Sequence, residues 1–173
     1  MNTQTSYFKK ALVVLMAVMM VFTMMPSMAW AEDTTPATSG TCGAAGNTES
    51  VAWSFASDDG VLTISGSGDM ADYTTASPAP WQKHKDSIAK VKVEDGVTSI
   101  GSYAFRAYSN LQEVVLPDSV TKIGSNALEL ATALTSIQLD KVKIIKNNAF
   151  TGCTGINSVS LGEAQTIGKQ AFA

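Results

Sequence analysis

Val97-Thr-Ser-Ile-Gly-Ser-Tyr-Ala-Phe105 is followed by Val120-Thr-Lys-Ile-Gly-Ser-Asn-Ala-Leu128, Val142-Lys-Ile-Ile-Lys-Asn-Asn-Ala-Phe150 and Ala164-Gln-Thr-Ile-Gly-Lys-Gln-Ala-Phe172. The phrase sets a period, because Ile100, Ile123, Ile145 and Ile167 stand 23, 22 and 22 residues apart. A unit this short cannot bury its own apolar face and must stack on its neighbour. The expected architecture is a solenoid, which offers extended surfaces for binding more than pockets for chemistry.

Working outward, each phrase is preceded by a second apolar pattern. Ile88, Val91 and Val93 align with Leu111, Val114 and Leu116, then with Leu134, Ile137 and Leu139, then with Ile156, Val159 and Leu161. The last two residues of each set alternate with polar ones, which puts them on one face of a short strand. Each unit therefore reads as a first strand, a corner, a second extended piece ending in Ile, and a compact turn at the Ala-Phe pair. The fold class is mainly β with short helical turns, a repeat solenoid with an N-terminal β-hairpin cap. Ala104, Ala127, Ala149 and Ala171 fall where a larger side chain would force coils beyond the ~4.8 Å spacing of stacked strands. Phe105, Leu128, Phe150 and Phe172 fill the interior. Gly101, Gly124 and Gly168 follow the Ile, where the chain reverses and positive φ is expected. Lys146 stands in that place in the third unit. The shortening from 23 to 22 falls between the first strand and the next phrase, in a surface corner that tolerates it.

Upstream, Val51-Ala-Trp53-Ser-Phe55 and Val61-Leu-Thr-Ile-Ser65 alternate around Asp58-Asp59-Gly60, the pattern of a β-hairpin. Gly66-Ser-Gly68 bends the chain, and Asp69 to Pro80 reads as a loop before Trp81, which is placed to cover the first coil. Four regions result: an export signal over 1–31, a flexible linker over 32–46 rich in Thr, Ala, Gly and Pro, a hairpin capping module over 47–87, and repeats over 88–173. The repeats amount to about four coils with the last one cut short.

The L-x-x-V-x-L, V-T-x-I-G-x-x-A-F and A-F-x-x-C phrases resemble the BspA-type leucine-rich repeats of bacterial surface proteins. Gly40-Thr-Cys-Gly43, Trp53, Asp59 to Gly68 and Pro80-Trp81 are similar to the segment that introduces such arrays in secreted proteins of Gram-positive bacteria. The resemblance covers residues 40–173. It departs at Lys146 for Gly, at Leu128 for Phe, and at Tyr108 and Ala131 where the family often has Cys. It implies a non-enzymatic secreted or cell-surface module for adhesion or protein–protein binding, with a protein ligand on a host or neighbouring cell. The alternative is a set of targeting or spacer repeats in a larger extracellular enzyme such as a hydrolase.

The N-terminus carries its own address. Lys9 and Lys10 precede the uncharged apolar run Ala11 to Thr23, Pro26 interrupts it, and Ala29-Trp30-Ala31 offers small residues for cleavage after Ala31. The run is shorter than the ~20 residues of a membrane span, so no membrane attachment is expected after cleavage. Cleavage removes both lysines and leaves the remainder two charges more acidic than the −3 of the whole chain. An acidic chain has no electrostatic case for nucleic acid. Cys42 and Cys153 lie at opposite ends of the array and are expected as free thiols.

Sites for chemistry are sparse. His84, the one histidine, sits among Lys83, Lys85 and Asp86 with no nucleophile phrase beside it and reads as a surface residue. Asp58, Asp59, Asp69 and Asp72 are the best oxygen set for Ca²⁺, but their spacing fits no EF-hand loop, and Asp-Asp-Gly is an ordinary turn. Gly66-Ser-Gly68 lacks the third glycine of a phosphate loop. No catalytic residue, metal or cofactor is expected. The candidate binding face is the outward side of the first strands: Lys90 and Lys92, Gln112 and Val115, Ser136 and Gln138, Ser158 and Ser160.

Overall fold

The structure, a computed structural model, describes residues 37–173. The export segment 1–31 and its cleavage position Ala31 lie outside the described residues. The alternating stretch upstream forms the hairpin: β2 (Val51–Ala56) pairs antiparallel with β3 (Val61–Gly66), from Val51↔Gly66 to Ala56↔Val61. Gly60 turns the chain at φ 65°, a region that favours glycine. Val51, Trp53 and Phe55 point into the core while Ser54 and Ala56 face out, as a period of two requires. On the far side of β2, β1 (Ser39–Thr41) pairs antiparallel, with Gly40 opposite Trp53. The 32–46 segment is therefore not a flexible linker over its second half. Phe55 N–H donates to Thr38 at 2.7 Å, Cys42 N–H donates to Val51 at 2.7 Å, and Cys42 is 4% exposed. Backbone pairing, which small polar residues do not advertise, orders it.

The hairpin is also the first rung of the array. β3 lies parallel to β5 (Lys90–Val93), with Leu62 opposite Val91 and Ile64 opposite Val93. β5 continues to β7 (Glu113–Val115) and β7 to β9 (Ser136–Ile137), all parallel. The sheet thus runs unbroken across the change of sequence pattern at residues 87 and 88. Ser158 and Ser160 lie beyond it, in no strand.

A second ladder carries the Ile-Gly phrase. It runs β4 (Gly68–Asp69), β6 (Val97–Ile100), β8 (Lys122–Ile123), β10 (Ile144–Ile145), β11 (Thr166–Ile167), every pair parallel. Gly68, expected in a bend, and Asp69, expected in a loop, are its first rung. Between the ladders the large side chains form one core, from Cys42 to Ala171. Ile100, Ile123 and Ile145 are fully buried, each contributing on the order of 1.5–3 kcal/mol of apolar burial. Ala104, Ala127 and Ala149 are also fully buried, with Phe105, Leu128 and Phe150 beside them. Phe172 stacks on Phe150 at 5.1 Å between ring centres and stays 40% exposed.

The Ala-Phe turns form a third ladder. N–H groups of Tyr103, Phe105 and Ala107 donate to the carbonyls of Ser125, Ala127 and Glu129 in the following coil, at 3.0, 2.8 and 2.6 Å. Asn126, Leu128 and Leu130 repeat the pattern onto Asn147, Ala149 and Thr151. Every donor points the same way because the turn visits the left-handed region at fixed places. These are Tyr103, Asn126, Asn148 and Gln170 (φ 59°, 55°, 57° and 56°), then Ala107, Leu130 and Gly152 (φ 60°, 61° and 72°). Positive φ therefore does not fall on Gly101, Gly124 and Gly168. Glycine is needed there for room: a Cβ would lie 1.8 Å from the Ala71 carbonyl oxygen at Gly101 and 2.4 Å from the Ser102 nitrogen at Gly124.

Trp81 closes the N-terminal end of this turn ladder. It lies in the 3₁₀ segment Pro80–Ser87, fully buried, its ring stacked on Phe105 at 5.5 Å. Its indole N–H donates to the Ala104 carbonyl at 3.1 Å, taking the place a turn amide holds in later coils. The expected lid is thus a packed and hydrogen-bonded one.

Candidate binding face

The outward side chains of the first sheet stand in rows set by its parallel register. Lys90 is opposite Glu113, and Glu113 opposite Ser136; Lys92 is opposite Val115. Gln138 follows Ile137 and extends the second row. The member of the first row in the second coil is therefore Glu113, not Gln112. Gln112 precedes β7, and its backbone is spent on Ala89 (N–H donating, 2.8 Å) and Thr135 (carbonyl accepting, 3.2 Å). The offset of 23 from Lys90 points to Glu113 and could have been read from the sequence.

Electrostatics on this face are balanced. Lys90 Nζ lies 2.8 Å from Glu113 Oε2 and Lys92 Nζ 3.4 Å from Glu94 Oε1, with all four side chains well exposed. Such pairs contribute ~0–1 kcal/mol and mainly fix side-chain positions. Beyond them the face turns neutral. Val115 is 38% exposed, and the short side chains of Ser136 and Ser158 leave a hollow of about 300 Å³ between Glu113, Val115, Thr135 and Gln138. Ser160 lies in no strand, and its hydroxyl donates to Asp140.

The remaining candidates sit elsewhere. His84 is half-buried at the hairpin, its Nε2 2.8 Å from the Ala37 carbonyl oxygen and its ring 4.7 Å from that of Phe55. It ties Ala37 to the hairpin. Asp58 and Asp59 stay exposed at the hairpin turn. Asp69 accepts from Thr98 Oγ1 at 2.5 Å and from Lys122 Nζ at 2.6 Å, and the Lys122 ammonium with the Thr98 hydroxyl holds its carboxyl below the usual range. Asp72 accepts the Ser102 N–H at 2.6 Å. Among the described residues no three His, Cys, Asp or Glu side chains gather as metal ligands. Both cysteines are free, and Cys153 Sγ–H donates to the Leu128 carbonyl at 3.0 Å. No described helix is long and apolar enough to cross a membrane.

Residues 82–173 match, in six copies, the family model described as the BspA type leucine-rich repeat region. Among solved structures the chain is similar to a leucine-rich repeat protein from Eubacterium ventriosum, at 28% identity and a TM-score of 0.57, over 72% of this chain and 40% of that one. It is also similar to a leucine-rich cell surface protein from Faecalibacterium prausnitzii, at 21% identity and a TM-score of 0.43, over 72% of this chain and 50% of that one. The chain thus spans half or less of the length of either. No curated protein matches it.

Proposed function

Because the chain belongs to the BspA-type leucine-rich-repeat family, we propose that it is a non-enzymatic binding module, exported through residues 1–31 and displayed at or released from the cell surface for adhesion or protein–protein contact. The observation that carries this reading is the outward face of the first sheet. Its rows are fixed by a continuous parallel ladder, and its hollow beside Val115 mixes apolar side chains with Thr135, Ser136, Gln138, Ser158 and Glu113. A rigid face with one exposed apolar residue among hydrogen-bonding groups and balanced ion pairs suits a protein partner. It offers no aromatic ladder for sugars or bases.

The test uses the secreted protein immobilised against labelled surface proteins of host and neighbouring cells. Val115→Asp with Ser136→Lys, which fills the hollow, is expected to weaken capture about tenfold or more. The turn variant Asp59→Asn is expected to leave it unchanged. Equal capture by both variants would contradict the reading.

A further inference from the structure

The third coil breaks the repeat twice, on the same outward side of the second ladder. One residue before the repeated Ile, the other coils carry a polar residue, the buried Ser99, Lys122 or Thr166, whereas the third carries the apolar Ile144, 39% exposed. One residue after it, the others carry Gly101, Gly124 and Gly168, whereas the third carries the exposed Lys146. Ile144 precedes the buried Ile145 within the two-residue strand β10 and Lys146 follows directly after it, and both flanking side chains are exposed.

Lys146 coincides with a missing contact between coils. In glycine-bearing coils the amide after the glycine is caught by the coil before it: Ser102 N–H by Asp72 Oδ1 at 2.6 Å, Ser125 N–H by Ser102 Oγ at 3.2 Å, Lys169 N–H by Asn147 Oδ1 at 2.8 Å. Among the described residues, the Asn147 amide after Lys146 has no such bond to Ser125. A residue that breaks a local rule and forgoes a hydrogen bond without structural return marks a place used for something else.

Its surroundings say what for. Lys90, Lys92, Arg106, Lys122 and Lys141 each hold a carboxylate within 4 Å. Lys143, Lys146 and Lys169 hold none among the described residues, and all three are exposed within two adjacent coils of a net-acidic chain. The Asp72 and Glu163 carboxylates lie near enough for Lys146 and Lys143 to attract them, but their hydrogen bonds go to the Ser102 amide and to Lys141. The result is a local cationic patch around an exposed isoleucine.

We propose that this side of β8, β10 and β11 is a second docking surface, for an acidic protein segment that sets carboxylates against Lys143, Lys146 and Lys169 and an apolar side chain against Ile144. It rests on the reading of the chain as a binding module but uses a different face. Unpaired charges steer such an encounter, and the exposed apolar residue gives it affinity.

The probe is a labelled peptide alternating glutamate and leucine, titrated by fluorescence anisotropy into the purified chain. Combined Lys143→Gln, Lys146→Gly and Lys169→Gln are expected to weaken binding about tenfold or more, and Ile144→Thr several-fold. Lys83→Gln with Lys85→Gln removes two cations at the other end that hold no carboxylate among the described residues, and is expected to stay within about twofold, as is Val115→Asp on the first face. Lys146→Gly alone restores the residue of the other coils and keeps the test valid if the combined variant unfolds. The proposal falls if the wild type ignores the peptide, if the Lys83 and Lys85 pair matters as much, or if polyglutamate without leucine or inorganic polyphosphate binds as tightly. Failure here with intact capture through the Val115 face leaves the module reading standing.

Discussion

Gly124 and Lys146 occupy the same place in successive coils, but only the amide after Gly124 is caught by a side chain of the coil before it. Ser125 N–H donates to Ser102 Oγ at 3.2 Å, whereas Asn147 N–H finds no such partner among the described residues. The difference predicts opposite tolerance to one substitution. A Cβ on Gly124 would meet the Ser102 nitrogen at 2.4 Å and the Gly101 carbonyl carbon at 2.7 Å, backbone atoms that cannot step aside. Gly124→Ala is expected to cost about 1–3 kcal/mol and Lys146→Ala less than about 0.5 kcal/mol, read from urea unfolding. Equal costs would show that the two corners are built alike.

Trp81 does two jobs that two variants separate. Trp81→Ala empties a fully buried site and is expected to cost about 3–5 kcal/mol. Trp81→Phe keeps most of the volume but leaves the Ala104 carbonyl without its indole donor, an expected loss of about 1–3 kcal/mol. Thermal melts of the two would rank them, and a Phe variant as stable as wild type would remove the hydrogen bond from the account.

Arg106 Nε lies 2.7 Å from Glu129 Oε2, and that bond, with a further one from Asn126, holds the Glu129 carboxyl below the usual range. A depressed carboxyl pKa stabilises the fold above its unfolded value, about 4.3, and that contribution is lost as pH falls through the folded value. Glu129→Gln is expected to lower stability by about 0.5–1.5 kcal/mol at neutral pH, with the gap to wild type closing as the pH falls below about 4. A gap independent of pH would assign the loss to packing.

Burial pushes the Cys42 thiol up to about 12 and the Cys153 thiol up to about 11. Both are therefore protonated at neutral pH, which slows their reaction. A thiol reagent is expected to spare Cys42 and react slowly with Cys153 in the folded protein, and to count two thiols after denaturation. A count of zero would mean a disulfide.

Much of this was legible because period is a strong signal. The isoleucines every 22 or 23 residues set the stack, and alternation around Asp58-Asp59-Gly60 set the hairpin. What escaped was carried by backbone. β1 is built from Ser, Gly and Thr, whose side chains say nothing of a strand, and β4 is two residues between glycine bends. The left-handed positions fall on Tyr103, Asn126, Asn148 and Gln170; the two asparagines suit that region, while Tyr103 and Gln170 are held there by the turn ladder. On the candidate face, Gln112 was one residue out of register because an exposed Gln and an exposed Glu look equally suitable until pairing decides.

The central claim is that successive coils share one core with their isoleucines stacked in register. Methyl-labelled NMR tests it directly. Contacts are expected between Ile100 and Ile123 and between Ile123 and Ile145, one rung of ~4.8 Å apart, and none between Ile100 and Ile145, two rungs apart. A direct Ile100–Ile145 contact, or isoleucine methyls without these neighbours, would contradict it.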